Sequence, residues 1–173
     1  MNETLKTLKE RRSCRKYSAR QVETQALDQI LEAGTYAPTG MNRQAPVIVA
    51  VQDKATRDKI AKMNAAVMGT DSDPFYGAPT VLVVLADPAV RTYVYDGALV
   101  MGNLMNAAHE VGVDSCYIFR AKEVFATEEG KAMLRSWGIP DHFEGMGNCI
   151  LGYREEGGVK PASPRKDGYI VKV

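Results

Sequence analysis

The chain has 173 residues, 45% hydrophobic and 25% charged, with 22 Lys and Arg against 21 Asp and Glu for a formal net charge of +1. That length fits one domain, 1–173, in which 154–173 reads as a C-terminal extension. The balanced charge argues against a nucleic-acid partner held by a broad basic field. No apolar run reaches the roughly 20 residues of a membrane span, and the polar opening MNETLKTLKERR lacks a signal-peptide core, so a cytoplasmic protein away from membranes is expected.

In chain order, Asn2 is placed to cap a first helix running to about Glu10, with Leu5 and Leu8 on one face. Residues 23–36 carry Leu27, Ile30, Leu31 and Ala33 at helical spacing, and Gly34 weakens the end. A Pro- and Gly-rich break, APTGMNRQAP, follows. Residues 46–51 (PVIVAV) predict a buried strand, and Asp53 is placed to cap a helix carrying Ile60, Ala61 and Met63. Residues 65–77 are small and polar and are expected as a loop; 80–86 (TVLVVLA) is the strongest strand.

Residues 90–112 predict a long helix, apolar on nearly every side, which is either buried or used for assembly on one face. Gly112 is a plausible helix stop, 115–118 a short strand, and a further helix is expected from Ala126 or Thr127 to Trp137. Residues 147–153 (GNCILGY) predict another strand, and the polar tail ends in YIVKV, a strand-like tip suited to an edge, including one on another chain. Helices and strands interleave, so a central sheet covered by helices is expected. The apolar helix and the strand-like tip together suggest a dimer.

The standard catalytic signatures are absent. There is no P-loop, no G-x-G-x-x-G between strand and helix, and no G-x-S-x-G elbow. Cys14, Cys116 and Cys149 are odd in number, widely spaced and without a C-x-x-C pair, a poor disulfide or zinc framework. His109 and His142 are the only histidines, so no metal site is expected.

Three segments stand out. Arg11-Arg12-Ser13-Cys14-Arg15 packs three guanidiniums and a hydroxyl into five residues, either a solvated basic turn or a phosphate site, since arginine forks match phosphate oxygens. Residues 37–46 carry Thr39, Asn42 and Gln44 in a rigid turn, either a capped loop or an amide-rich edge for a heterocycle. Residues 160–166 (KPASPRK) are either a solvated tail or a second cationic clamp.

Together these segments resemble the nitroreductase family of FMN-dependent flavoproteins over nearly the whole chain. RRSCRKY is similar to the family's opening R-R/H-S-x-R/K-x-[FY], and YAPTGMNRQAP to its Pro-Ser/Thr-x-x-Asn-x-Gln-Pro loop, with Ala45 inserted between Gln44 and Pro46. DGALVMGNLMNAAHEVGVDSCYI resembles the family's central helix and following strand, and LGYREEGGVKPASPRK its closing strand and basic phosphate contact. Some relatives carry a Glu-Gly pair near the flavin N5 where this chain has Ile118-Phe119-Arg120.

The resemblance implies an α+β, three-layer fold: a mixed, mostly antiparallel sheet flanked by helices, with the C-terminal tail exchanged with a partner subunit. It implies one tightly bound FMN per subunit of a homodimer, held by Arg11, Arg12, Ser13 and Arg15, by Arg165 and Lys166 at the phosphate, and by Ile118 beside the ring. Pro38, Thr39 and Asn42 are implied to reach the flavin from the partner and Gln44 to lie near the cofactor, and Met41, Phe75 and Tyr76 are candidates to line the substrate pocket.

The implied activity is electron transfer from diffusible NAD(P)H through flavin N5 to a nitroaromatic, quinone or similar electron-poor small molecule, by ping-pong kinetics. No protein acid–base dyad is needed. The alternatives are an FMN carrier or redox sensor without turnover, and a specialised flavin reaction such as reductive dehalogenation or flavin destruction.

Overall fold

A computed structural model describes residues 2–173. The first helix, α1 (Glu3–Glu10), is capped by Asn2, whose Oδ1 accepts from the Thr4 N–H at 2.9 Å. It is followed by α2 (Thr24–Thr35), β1 (Pro46–Val51), α3 (Lys54–Met68), β2 (Thr80–Ala86) and α4 (Tyr93–Glu110). The chain continues through β3 (Asp114–Ile118), α5 (Ala121–Ala126), α6 (Glu128–Ser136) and β4 (Glu144–Gly152).

The strands form one sheet in the order β1-β2-β4-β3, antiparallel at every strand pair; the parallel element is an isolated bridge between Ser13 and Ser115. Side chains alternate across a strand, so β2 sends Val81, Val83 and Leu85 to one core and Leu82 and Val84 to the other. The first core is completed by Ile60 of α3, Val124 and Phe125 of α5 and Leu134 of α6. The second is completed by Leu27 and Ile30 of α2 and Val100, Met101 and Leu104 of α4. Burial on both faces is why β2 reads as an unbroken apolar run.

Helix α4 buries Gly97, Val100, Met101, Leu104 and Ala108, while Val94, Tyr95 and Leu99 face outward. It lies close to α2 because Gly34 has no side chain: a Cβ there would sit 2.6 Å from Leu104 and 2.8 Å from Ile48.

Two expectations are corrected. Residues 65–68 continue α3 instead of opening a loop, because Ala-Ala-Val-Met carries no helix breaker; the helix stops at Gly69, whose φ of 72° is left-handed. The helix expected from Ala126 or Thr127 is preceded by a separate one, α5. Thr127 punctuates both: its hydroxyl donates to the Val124 carbonyl at 2.7 Å and accepts from the Gly130 N–H at 3.0 Å. Residues 169–173 form no strand within this chain, and Tyr169, Ile170 and Val171 are exposed. Among the described residues no helix is long and apolar enough to cross a membrane.

Candidate functional site

Residues 11–17 form no long strand, yet are stitched on both sides. The Cys14 N–H donates to the Ser115 carbonyl of β3 at 2.9 Å, and the Arg15 N–H to the Gly158 carbonyl at 2.8 Å. Further bridges join Cys14 to Val159 and Tyr17 to Arg154. Cys14 and Tyr17 anchor the segment inward; both are buried, and the Tyr17 hydroxyl donates to the Cys14 carbonyl at 3.0 Å. Burial raises the pKa of both groups, and pushes the Cys149 thiol up to about 12, so these groups stay protonated at neutral pH.

With Cys14 turned in, Ser13 and Arg15 face a groove of about 800 Å³ that Arg11 and Arg12 also line. Its opposite wall comes from the far end of the chain, Lys160, Ser163 and Arg165. Arg12 Nη1 is spent on the Lys9 and Arg11 carbonyls at 2.6 and 2.7 Å, and Arg165 Nη2 on the Ser163 carbonyl at 2.6 Å. Arg11 differs: its Nη1 is buried and has no hydrogen-bond partner among the described residues, as does Ser115 Oγ. A buried guanidinium nitrogen without an acceptor is costly and marks a place for an anion or a polar ligand atom. Lys166 does not line the groove; its ammonium lies 5.5 Å from the Tyr169 ring centroid.

Arg15 also lines a second hollow, a cleft of about 270 Å³ at the C-terminal end of β3. Cys116, Tyr117 and Ile118 border it on one side and Met68, Pro74 and Tyr76 on the other, with Phe119 and Arg120 after the strand. Arg120 has a left-handed φ of 74°, held by Asn64. That side chain is fully buried; its Oδ1 accepts from Arg120 Nε at 3.0 Å and its Nδ2 donates to the Phe119 carbonyl at 2.9 Å.

The assignment of Phe75 to a pocket is corrected: it is fully buried in the core, 5.4 Å beneath the Arg57 guanidinium. Arg57 pairs with Asp73 at 2.6 Å, and Asp73 accepts from the Phe75 and Gly77 N–H groups at 2.9 Å each, which turns Phe75 inward and leaves Tyr76 out at the cleft.

Residues 38–44 lie elsewhere. Thr39 and Gln44 border a separate hollow of about 390 Å³ with Gly34, Pro46, Ile48 and Val100, while Pro38, Met41 and Asn42 are exposed. Met41, Asn42 and Gln44 have φ near 50°, and Asp96 of α4, itself buried, pins the loop by accepting from the Gly40 N–H at 3.0 Å. Five non-glycine residues among those described have left-handed φ: these three, Tyr76 and Arg120. All belong to the loop or the cleft, and strain of this kind collects at functional sites.

The structure therefore gathers Arg11, Arg12, Ser13, Arg15 and Arg165 at one groove and joins Ile118 and Tyr76 to it through Arg15. It does not bring Pro38, Met41, Thr39, Asn42 or Gln44 to the same hollow. Sequence reasoning missed Asn64, Asp96 and the role of Arg120. The available signals were a carboxylate inside an apolar helix and an Asn among alanines.

Comparison with known proteins gives the family. Residues 8–72 match the nitroreductase family. A protein of Archaeoglobus fulgidus, provisionally named an NADH dehydrogenase/NAD(P)H nitroreductase, is 32% identical over 162 residues, covering 90% of this chain and 88% of its own. An FMN reductase [NAD(P)H] of Bacillus subtilis is 37% identical over 76 residues, covering 44% of this chain and 30% of its own. The crystal structure of a nitroreductase with bound FMN from Bacteroides fragilis superposes with a TM-score of 0.91 at 31% identity over 100% of both chains. One from Desulfitobacterium hafniense, also with bound FMN, gives 0.88 at 27% over 100% of this chain and 99% of its own. The chain belongs to the nitroreductase family.

Proposed function

We propose that the chain is an FMN-dependent oxidoreductase that passes electrons from NAD(P)H to nitroaromatic, quinone or similar electron-poor acceptors. The observation that carries this reading is a pair of hollows that share Arg15: a groove walled by guanidiniums, one with a buried unpartnered nitrogen, and a smaller cleft beside β3. The donor set fits FMN, a ring joined to a dianionic phosphate. Arg11, Arg12, Ser13 and Arg165 offer charge-assisted hydrogen bonds to the phosphate and ribityl chain. Ile118 and its neighbours offer a bed for the ring.

Bound FMN supplies a two-electron carrier that accepts and releases hydride. The chain's own work is to bind, orient and exclude water. Arg15, shared by both hollows, stabilises negative charge on the ring edge. Cys14 and Cys149, kept as thiols by burial, offer no competing nucleophile.

The homodimer belongs to this proposal. Support comes from the outward apolar residues of α4, from β1 as an edge strand, and from the exposed YIVKV tip of the tail, which suits such an edge. Residues 38–44 lie away from their own groove, as a loop serving the partner's site would.

Purification and spectroscopy test the reading. The expected protein is yellow, takes up one FMN per subunit and is bleached by NAD(P)H under anaerobic conditions. A protein that takes up no FMN overturns the proposal; one that binds FMN but is not bleached favours the carrier or sensor.

A further inference from the structure

We propose that the acceptor of this site is a planar aromatic molecule carrying an acidic group, and that Arg120 is the residue that selects for the acid. The inference rests on the flavin reading above.

Cleft residues divide by burial. Cys116 and Ile118 are almost wholly covered and form its floor, where the ring of the cofactor would lie. Phe119 and Tyr76 are 62% and 41% exposed and form its rim with Met68 and Arg120. Whatever lands above the floor therefore meets two aromatic rings, a thioether and a guanidinium. Aromatic faces and thioether sulfur favour a flat π-system.

Charge decides the rest. Asp73, the acid at this rim, is neutralised by Arg57 at 2.6 Å. Arg15 lines both hollows, and the proposed function assigns it to the cofactor. Arg120 remains. Its Nε is fixed to Asn64, while Nη1 and Nη2 have no hydrogen-bond or ion-pair partner among the described residues. The buried Asn64 also holds the Phe119 carbonyl, so the backbone that carries the exposed aromatic and the guanidinium beside it share one anchor. An arginine anchored through Nε presents two parallel N–H donors, the match for a carboxylate. Little ordering is lost on binding, because the anchor has already removed the freedom of the side chain.

Benzoate and its neutral isostere benzamide are the probes. Each is titrated into the FMN-loaded protein and followed by the visible spectrum of the flavin, with no turnover involved. Benzoate is expected to bind at least about tenfold tighter than benzamide, the range of one charge-assisted pair. R120Q is expected to erase the ratio of benzoate to benzamide affinity, read on the FMN-loaded fraction, and R120K to keep part of it.

Equal binding of the two probes by the wild-type protein overturns the proposal without any variant, and so does a preference that survives in R120Q. A protein that takes up no FMN overturns the proposed function and this inference with it. A yellow protein with no preference overturns the inference alone.

Discussion

Residues 11–17 and residues 38–44 both break the regular structure, and both carry candidate site residues, but they are held in opposite ways. The first segment is stitched by backbone hydrogen bonds to β3 on one side and to Gly158 on the other, with Cys14 and Tyr17 buried as anchors. The second has three residues at φ near 50°, is tied mostly to itself through bonds such as Gln44 N–H to Thr39 Oγ1 at 3.1 Å, and is pinned to α4 by one buried carboxylate, Asp96. A scaffold shared with the sheet fixes side chains cheaply. A strained loop tied mostly to itself relies more on each outside contact.

The largest expected effect breaks the chemistry of the first segment without breaking its scaffold. Replacing Arg11 and Arg165 together with Ala removes two charge-assisted contacts of about 1.5–3 kcal/mol each. FMN affinity, read by fluorescence titration, is expected to fall by about 100-fold or more, with thermal stability of the apo protein little changed. Unaltered affinity refutes the phosphate assignment.

The next effect probes how firmly that scaffold is closed. Cys14 is fully buried with its pKa raised by burial, so at pH 8 its alkylation by iodoacetamide requires the segment to open. If opening costs about 3 kcal/mol, labelling in the native protein is on the order of 100-fold slower than in urea. Equal rates would show that the stitching is weak and the contrast with the loop false.

Third, Asp96→Ala removes the pin of the loop. It strips an acceptor from the Gly40 N–H and from the Thr92 hydroxyl, the latter at 2.9 Å. A loss of about 2–3 kcal/mol is expected in denaturant melts, with faster amide exchange at Gly40 and no change at Cys14. The smallest effect relieves strain: Met41 is 86% exposed with φ 53°, so Met41→Gly is expected to stabilise by at most about 1 kcal/mol. A clear destabilisation would mean that its side chain is engaged.

The same contrast governs what was legible in the sequence. Asn2 and Asp53 cap their helices as their positions predict, and the run 80–86, apolar from Val81 onward, is the strand buried on both faces. The RRSCR segment was legible because guanidinium clustering is a local signal. The features that shape the cleft were not, because they are made by contacts distant in sequence. Asn64 reaches Phe119 and Arg120, and Arg57 reaches Asp73 and Ala78. Phe75 and Tyr76 are adjacent aromatics that composition cannot separate; the Asp73 turn sends one to the core and the other to the surface. The short α5 was missed because six residues contain too little periodicity to read.

The groove closes between Arg11 at one end of the chain and Arg165 near the other, with the Arg15–Gly158 hydrogen bond as its seam. On a ribosome the guanidiniums of the first segment emerge well before residues 160–165, which supply the wall opposite them. Contacts so far apart in sequence form late. A chain that carries residues 11–15 without residues 158–165 therefore has one wall and no seam, and a pocket for an anion exists only where both segments are present.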